Sequence, residues 1–322
     1  MTQKEFPYDE VKNIIHKAKS ISILSHLNPD GDALGTALGI YTLLKQNKHK
    51  KVEVVNASTS LPLHLNFLPN FQKIKHQMDY SDSLVIACDC GSVDRLGFDL
   101  GGREILNIDH HQSNTGYGSI NIVMPEYASS SQVAFELFDA LYALDKDTAT
   151  CFYAALLSDT RYFTTSTVNV RVFSIAEQLL VLGANPADIA YNFTQRRPLS
   201  SLRILQRALL SLSLYDDARV ATLVVSKEDI LATGASVPDM EGVVDYAKSL
   251  STVEIALFAM ELDDGVRISL RSKTVDISKL ALAFGGGGHK FAAGFTLSGK
   301  NVESIISKVL EKIKELGLIH EK

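Results

Sequence analysis

The densest chemical signal in the chain is the run His26-Leu27-Asn28-Pro29-Asp30-Gly31-Asp32. Pro, Asp and Gly favour a sharp turn, which aims His26, Asp30 and Asp32 at one point. Carboxylate oxygens suit hard divalent cations, and an imidazole adds affinity for transition metals. The same residues also fit a structural role, with Asp32 capping a helix and Asp30 turning the chain. A second cluster, Asp109-His110-His111, offers a metal ligand, a proton donor or a carboxylate that orients a ring. Its plain alternative is an exposed polar loop. Asp89 stands in Cys88-Asp89-Cys90-Gly91. A C-x-C spacing belongs neither to a zinc knuckle nor to a redox pair, so Cys88, Cys90 and the distant Cys151 read as small packing residues. Asp159 ends an apolar helical run, where a carboxylate meets the negative end of the helix dipole. That misfit asks for a nearby cation, or else Asp159 is an ordinary exposed residue at a helix end.

Asp30, Asp32, Asp89 and Asp159 would repel one another if clustered. Two divalent cations would balance these four carboxylates. Two such ions ~3.5–4 Å apart suit in-line attack on phosphorus. A phosphate substrate then needs further positive donors. Arg267, Arg271, Ser272, His289 and Lys290 offer them, beside the run Gly285-Gly286-Gly287-Gly288. Glycines let backbone N–H groups approach an anion, and His289 can donate to phosphate. A flexible hairpin or a helix-end loop accounts for the same run.

The elements that must position these groups alternate between strand and helix. Ser20–Ser25, Val52–Asn56, Leu84–Ala87 and Ile105–Ile108 read as strands, and Gly31–Gln46, Ser131–Tyr142 and Ala149–Leu157 as helices. Such alternation predicts an α/β fold with a mostly parallel sheet flanked by helices. His26, Asp89 and Asp109-His110-His111 each follow a strand, and open parallel sheets bind ligands at the carboxyl ends of their strands. The pattern changes around Gln195-Arg196-Arg197-Pro198, which breaks a helix. We expect a first domain over 1–190, a linker over 191–207 and a smaller α/β domain with a mixed sheet over 208–322. In the latter, Arg219–Val225, Val253–Met260 and Val266–Leu270 read as strands, with Asp263-Asp264-Gly265 as a hairpin turn. Asp276–Phe284 and Val302–Leu316 read as helices.

Composition bounds the rest. The 322 residues exceed the ~100–200 usual for one domain. Hydrophobic residues make up 46% and charged residues 21%, which fits a folded soluble protein and excludes a disordered or collagen-like chain. No apolar run reaches the ~18–20 residues of a membrane span. The first residues mix acids with bases and hold no apolar core, unlike a secretory signal. Three cysteines give no disulfide framework. A cytoplasmic protein is expected. The net charge of −5 disfavours a partner as large as long nucleic acid and leaves room for a small anion. Arg196, Arg197, Arg203 and Arg207 could border a cleft, but fit a solvated helix face better. His16, His49, His64, His76 and His320 read as surface residues. Phe67, Phe71, Tyr117 and Phe163 could stack a base, although core or loop packing suits each of them better.

His26-x3-Asp30-x-Asp32, Asp89, Asp109-His110-His111 and Asp159, followed by GGGGHKFAAGF from Gly285 to Phe295, resemble the DHH phosphoesterase family with its DHH-associated C-terminal domain. The resemblance spans nearly the whole chain, with the motifs in the family's order. It implies that His26 and Asp30 hold one metal, that Asp32, His110 and Asp159 hold another, and that Asp89 bridges both. Asp109 would orient a ligand, and His111 would sit near the scissile phosphate. Arg271, Ser272, Gly286, Gly287, Gly288 and His289 would hold the substrate, which would lie between the domains. The implied cofactors are two divalent cations, with Mn²⁺ favoured over Mg²⁺, Co²⁺ or Fe²⁺. Within the family, the two-domain form resembles the branch that degrades RNA of a few nucleotides and removes the 3′-phosphate of 3′-phosphoadenosine 5′-phosphate (pAp). A sibling branch hydrolyses cyclic di-AMP or linear pApA, and the motifs do not separate the two. A nucleotide-binding protein without catalysis is a third reading, against which the full ligand set speaks. The resemblance also implies a homodimer through the first domain, and the lack of a long apolar run predicts no membrane association.

Overall fold

The computed structural model describes residues 6–47, 51–299 and 301–319. The chain divides into two compact units, Met1–Arg196 and Arg197–Lys322.

In the first unit, β1 (Ile21–Ser25), β2 (Val52–Val55), β3 (Ile74–Lys75), β4 (Leu84–Cys88), β5 (Ile105–Asp109) and β6 (Ile120–Val123) form one sheet in the order β3-β2-β1-β4-β5-β6. Every pairing in it is parallel. The strands β1, β2, β4 and β5 are buried along their whole length, as a parallel sheet covered on both faces requires. The strand order runs outward in both directions from β1 and β4, so the topological switch point lies between them. In open sheets of this kind, ligands bind beyond the carboxyl ends at that point.

The helices of this unit are α1 (Tyr8–Lys17), α2 (Gly31–Gln46), α3 (Ser130–Asp139), α4 (Lys146–Asp159), α5 (Val170–Val181) and α6 (Pro186–Thr194). Helix α2 is buried along most of its length, because its other side is covered by α4. The approach is close: a Cβ at Gly35 would lie 2.7 Å from the Cys151 carbonyl oxygen, and one at Gly39 2.4 Å from the Phe152 ring. The caps are side chains that accept free N–H groups of the first turn: Asp30 for α2, Ser129 for α3 and Asp145 for α4.

The second unit holds α7 (Leu199–Leu210), α8 (Lys227–Thr233), α9 (Val243–Lys248), α10 (Ser278–Ala283) and α11 (Val302–Glu315). Its strands are β7 (Ser213–Tyr215), β8 (Val220–Val225), β9 (Ile255–Glu261), β10 (Gly265–Ser272), β11 (Gly287–His289) and β12 (Ala292–Ser298), ordered β11-β12-β10-β9-β8-β7. The sheet is mixed: β8 and β9 are parallel and the other pairs antiparallel. The turn at Asp263-Asp264-Gly265 closes the β9–β10 hairpin, with the Leu262 N–H donating to the Gly265 carbonyl at 2.8 Å.

The α/β architecture with one parallel and one mixed sheet agrees with the sequence reading, and the first sheet is wholly parallel. Helix α6 ends at Thr194 and α7 begins at Leu199, on either side of the Gln195–Pro198 break. Arg203 and Arg207 lie on the exposed face of α7, and Arg196 and Arg197 are exposed before it. Of the histidines expected at the surface, His16 and His76 are exposed and His64 is half-buried. His49 and His320 lie outside the described residues. Among the described residues no helix is long and apolar enough to cross a membrane.

Candidate metal centre

The carboxyl ends of β1, β4 and β5 and the start of α2 deliver their polar residues to one place. His26 follows β1, Asp89 follows β4, and His110 and His111 follow β5, whose last residue is Asp109. The start of α3 and the last residue of α4, Asp159, complete the cluster.

The distances are those of donors that face a common point. His26 Nε2 is 3.7 Å from Asp89 Oδ2. His110 Nε2 is 3.7 Å from Asp89 Oδ1, 3.9 Å from Asp32 Oδ2 and 3.4 Å from Asp159 Oδ2. These separations are mostly too long for hydrogen bonds. Two donors each ~2.1 Å from one ion lie ~3–3.6 Å apart, close to what is seen. Within the first unit three three-residue groups could hold an ion, His26 with Asp30 and Asp89, Asp32 with Asp89 and His110, and Asp89 with Asp109 and His111. Asp89 belongs to all three.

Neighbouring groups fix the orientation of each donor. His26 Nδ1 lies 2.8 Å from the Leu27 carbonyl oxygen, and His110 Nδ1 3.1 Å from that of Tyr127. A carbonyl only accepts, so each Nδ1 carries the proton and each Nε2 turns a lone pair to the cluster. Asp32 accepts the Ser130 N–H at 2.7 Å, the Ser131 N–H at 3.1 Å and the Thr36 hydroxyl at 3.1 Å. The cap of α2 is Asp30 rather than Asp32: its Oδ1 accepts the N–H groups of Asp32 and Ala33 at 3.1 and 3.0 Å. A single turn at the start of α2 therefore caps the helix and presents carboxylates to the cluster.

The electrostatics are those of crowded carboxylates. Burial and the charges of Asp89, Asp159 and Asp30 push Asp32 well above the ordinary carboxyl range. Burial likewise raises Asp159 to about 6, although His110 opposes the shift. Burial would also raise Asp89, but His111, His110, His26 and the Ser130 hydroxyl hold it down to about 2. Asp89 also has a φ of 55°, a left-handed conformation that costs a non-glycine residue on the order of 1–3 kcal/mol. Its N–H donates to the Ile108 carbonyl at 3.0 Å, so β5 holds the strained residue in place.

Asp109 is fully buried and organises the second cluster. Its Oδ1 accepts the backbone N–H groups of His110 and His111 at 2.8 and 3.2 Å and pairs with His111 Nδ1 at 2.7 Å. Burial disfavours a charged His111, yet Asp109 and the charges of Asp89 and Asp159 outweigh it and hold the ring up to about 9. The polar-loop alternative for these residues does not hold, since Asp109 and His110 are buried.

The sequence reading missed Ser130, whose hydroxyl donates to Asp89 Oδ1 at 2.8 Å, and Asn114, whose amide donates to Asp109 Oδ2. The Ser129-Ser130-Ser131 run signals a helix start but not which serine turns inward. The cysteines are free and buried. Burial lifts the Cys88 and Cys151 thiols well above their ordinary range and Cys90 to about 11, consistent with packing residues.

Most of the residues singled out in the second unit lie on its mixed sheet. Arg271 and Ser272 end β10, and Gly287, Gly288 and His289 form β11. Arg271 Nη1 donates to the Leu270 carbonyl at 2.9 Å, and the Ser272 hydroxyl donates to Val275. Gly287 and Gly288 begin the β11–β12 hairpin, and Gly285 and Gly286 connect it to the end of α10, so the run combines a hairpin with a helix-end loop. A Cβ at Gly286 would lie 2.2 Å from the Gly294 carbonyl oxygen, and one at Gly288 2.5 Å from that of Ala292. Close packing on β12 accounts for both glycines.

Residues 20–156 match the N-terminal domain of the DHH family, and residues 217–315 match the DHHA1 domain. The chain belongs to the DHH family, and it is an enzyme of the phosphoesterase class. It is 30% identical to the bifunctional oligoribonuclease and PAP phosphatase NrnA of Thermus thermophilus, over 92% of this chain and 89% of that one. It is 24% identical to the protein of the same name in Bacillus subtilis, over 86% and 89%. A crystal structure of an exopolyphosphatase-related protein from Bacteroides fragilis shares 28% identity at a TM-score of 0.86, over 96% of both chains.

Proposed function

We propose that this enzyme hydrolyses short oligoribonucleotides to mononucleotides and removes the 3′-phosphate of pAp, in the cytoplasm, with two divalent cations, Mn²⁺ first among them. The observation that carries this reading is the split of Asp89 between two imidazoles. One oxygen faces His26 and the other faces His110, each at 3.7 Å. A carboxylate so divided suits a bridge between two ions. His26 and Asp30 would complete one site, and Asp32, His110 and Asp159 the other. The names of the NrnA relatives supply the substrate class.

The donor set fits the cations. The raised Asp32 and Asp159 are carboxylates short of positive charge, and both imidazoles offer a lone pair. When bound, the ions would polarise phosphoryl oxygens and make water acidic enough to attack. The protein's own part is orientation and proton supply. Asp32 is held by the N-terminus of α3 and cannot swing away. His111, kept protonated by Asp109 through Nδ1, would donate from its ring toward a leaving oxygen. Arg271, Ser272, His289 and the backbone of Gly286–Gly288 would hold the terminal phosphate or the base-side groups.

Initial rates with Mn²⁺ on 5′-phosphorylated RNA dimers to pentamers, on pAp and on cyclic di-AMP test the reading. Fast release of mononucleotides, and of phosphate from pAp, is expected. Preference for cyclic di-AMP would move the enzyme to a second-messenger role with the same chemistry. Metal-loaded protein that turns over none of the three would overturn it. His289→Ala should raise KM and leave metal content intact; loss of metal would remove His289 from the substrate side.

A further inference from the structure

The chain turns left-handed directly after Asp159. Arg161, Tyr162 and Phe163 have φ of 46°, 59° and 63°, three successive non-glycine residues in a conformation that L-residues avoid. Thr160, fully buried, staples the turn. Its hydroxyl donates to the Leu156 carbonyl at 2.6 Å and accepts the Phe163 N–H at 3.2 Å. The Tyr162 N–H returns to the Leu157 carbonyl at 2.9 Å.

The strain sends two neighbouring aromatic rings in different directions. Phe163 packs onto Tyr153 and Phe173, with centroids 6.3 and 5.2 Å away. Tyr162 is left 43% exposed. It meets Phe193 at 6.4 Å, with ring planes 88° apart, and Phe193 meets Phe67 edge-on at 5.5 Å. Phe193 borders the turn that carries the first carboxylates, and Tyr162 follows Asp159 by three residues. A Cβ at Gly31, between Asp30 and Asp32, would lie 3.6 Å from Phe193 Cε1 and 2.4 Å from the Ser158 hydroxyl, next to Asp159.

We propose that Tyr162, braced by Phe193, is the platform on which a nucleobase of the substrate stacks. The inference rests on reading the site as one that cleaves short nucleotides. An acidic cluster in a protein of net charge −5 gains little from attracting a polyanion at long range. A ring beside the cluster supplies affinity without charge. Every base has a π-face, so the platform would serve oligomers of any sequence. A mere surface turn would need neither the strain nor the aromatic ring.

The test compares adenosine 5′-monophosphate with ribose 5-phosphate, by calorimetric titration of the full chain in Mn²⁺. The two ligands share phosphate and sugar and differ by the base. Wild type should bind the nucleotide at least about tenfold more tightly, as loss of one stacked base predicts. Tyr162→Gly, whose backbone accepts a φ of 59° without strain, should lose most of that preference. Tyr162→Phe should keep it. Equal binding of both ligands by wild type overturns the proposal. So does a preference that survives Tyr162→Gly, or a variant that weakens both ligands alike. Binding needs no turnover, so a failed oligoribonuclease reading stays distinguishable from a failed platform. If turnover is present, Tyr162→Gly should raise KM for pApA about tenfold, with kcat changed much less. An analogue abasic at the stacked position should show no such rise.

Discussion

Glu53, near the start of β2, and Asp89, just beyond the end of β4, are both almost fully buried carboxylates of one sheet. Their surroundings differ. Glu53 accepts the Ser22 hydroxyl at 2.7 Å, the Asp79 N–H at 3.1 Å and the Tyr80 N–H at 3.4 Å, and pairs with Lys75 at 3.2 Å. Its oxygens are answered by the protein itself. Ser83 and Arg103 extend the network, which pins the 79–83 loop. Asp89 is answered in part, by Ser130, and otherwise faces imidazoles across gaps of 3.6–3.7 Å. Its neighbours Asp32 and Asp159 are pushed toward protonation. The amino end of the sheet therefore holds a closed network that stabilises structure. The carboxyl end holds an open one, incomplete without added positive charge.

The contrast can be broken most sharply at Asp89. Asp89→Ala should lower turnover by more than about 100-fold, since even indirect ligand partners cost 10–100-fold. Bound Mn²⁺, measured by elemental analysis after gel filtration, should fall with it. Activity retained in this variant would dissolve the two-ion reading. Glu53→Ala should leave bound metal unchanged.

Removing the cation comes next. Mn²⁺ at about 100 times its Kd should stabilise the chelated protein by about 2.7 kcal/mol for each ion bound, read as a rise in Tm. Asp89→Ala should show no rise. The pH dependence follows from the shifts. Asp159, held at about 6 against an ordinary 3.8, binds its proton more tightly folded than unfolded. His111, held at about 9 against 6.5, does the same. Both losses run one way, so chelated protein should lose stability as pH rises from about 4 to 6 and again from about 6.5 to 9. With Mn²⁺ present the loss up to pH 6 should weaken or reverse, because ions bind deprotonated ligands and Asp159 would be one of them. An unchanged pH profile on adding metal would sink this account.

A smaller effect is expected at the closed end. Glu53→Ala strands the partners of a buried carboxylate and should cost about 1–3 kcal/mol in urea unfolding. The smallest is expected at Cys90→Ala, beside Asp89. It removes a buried thiol with little change in volume and should cost about 1 kcal/mol, with metal content unchanged. Loss of metal there would give the cysteines a role that the fold does not suggest.

The difference between the two ends also explains what the sequence reveals. β1, α2, β4 and β5 are legible because long apolar runs stop abruptly at His26, Asp89 and Asp109. The gathering of His26, Asp30, Asp32, Asp89, Asp109, His110, His111 and Asp159 follows from those stops. Ser130 is not legible, since a serine before a helix reads as a cap whichever way its hydroxyl turns. Glu53 is hidden because its partners come from residues 22, 75, 79 and 80. Three other strands escape for another reason. β7 is exposed throughout, β6 is buried at only one position, and β12 is built on small residues around Gly294. β7 and β6 are too short to show the apolar period that marks a strand, and in β12 the alternation of Ala293, Phe295 and Leu297 with Gly294, Thr296 and Ser298 is weakened by its small residues.

The parallel topology has a consequence for the newborn chain. The donors run from His26, behind the first strand, to Asp159, at the end of the fourth helix, and no short segment contains a full set. A nascent polypeptide that has not yet released residue 159 holds its acids apart, each in water. Their mutual repulsion is met only when the unit closes. A cation that would need Asp159 as well as the earlier donors could be held only by a chain synthesised through that residue, about half of its 322 positions.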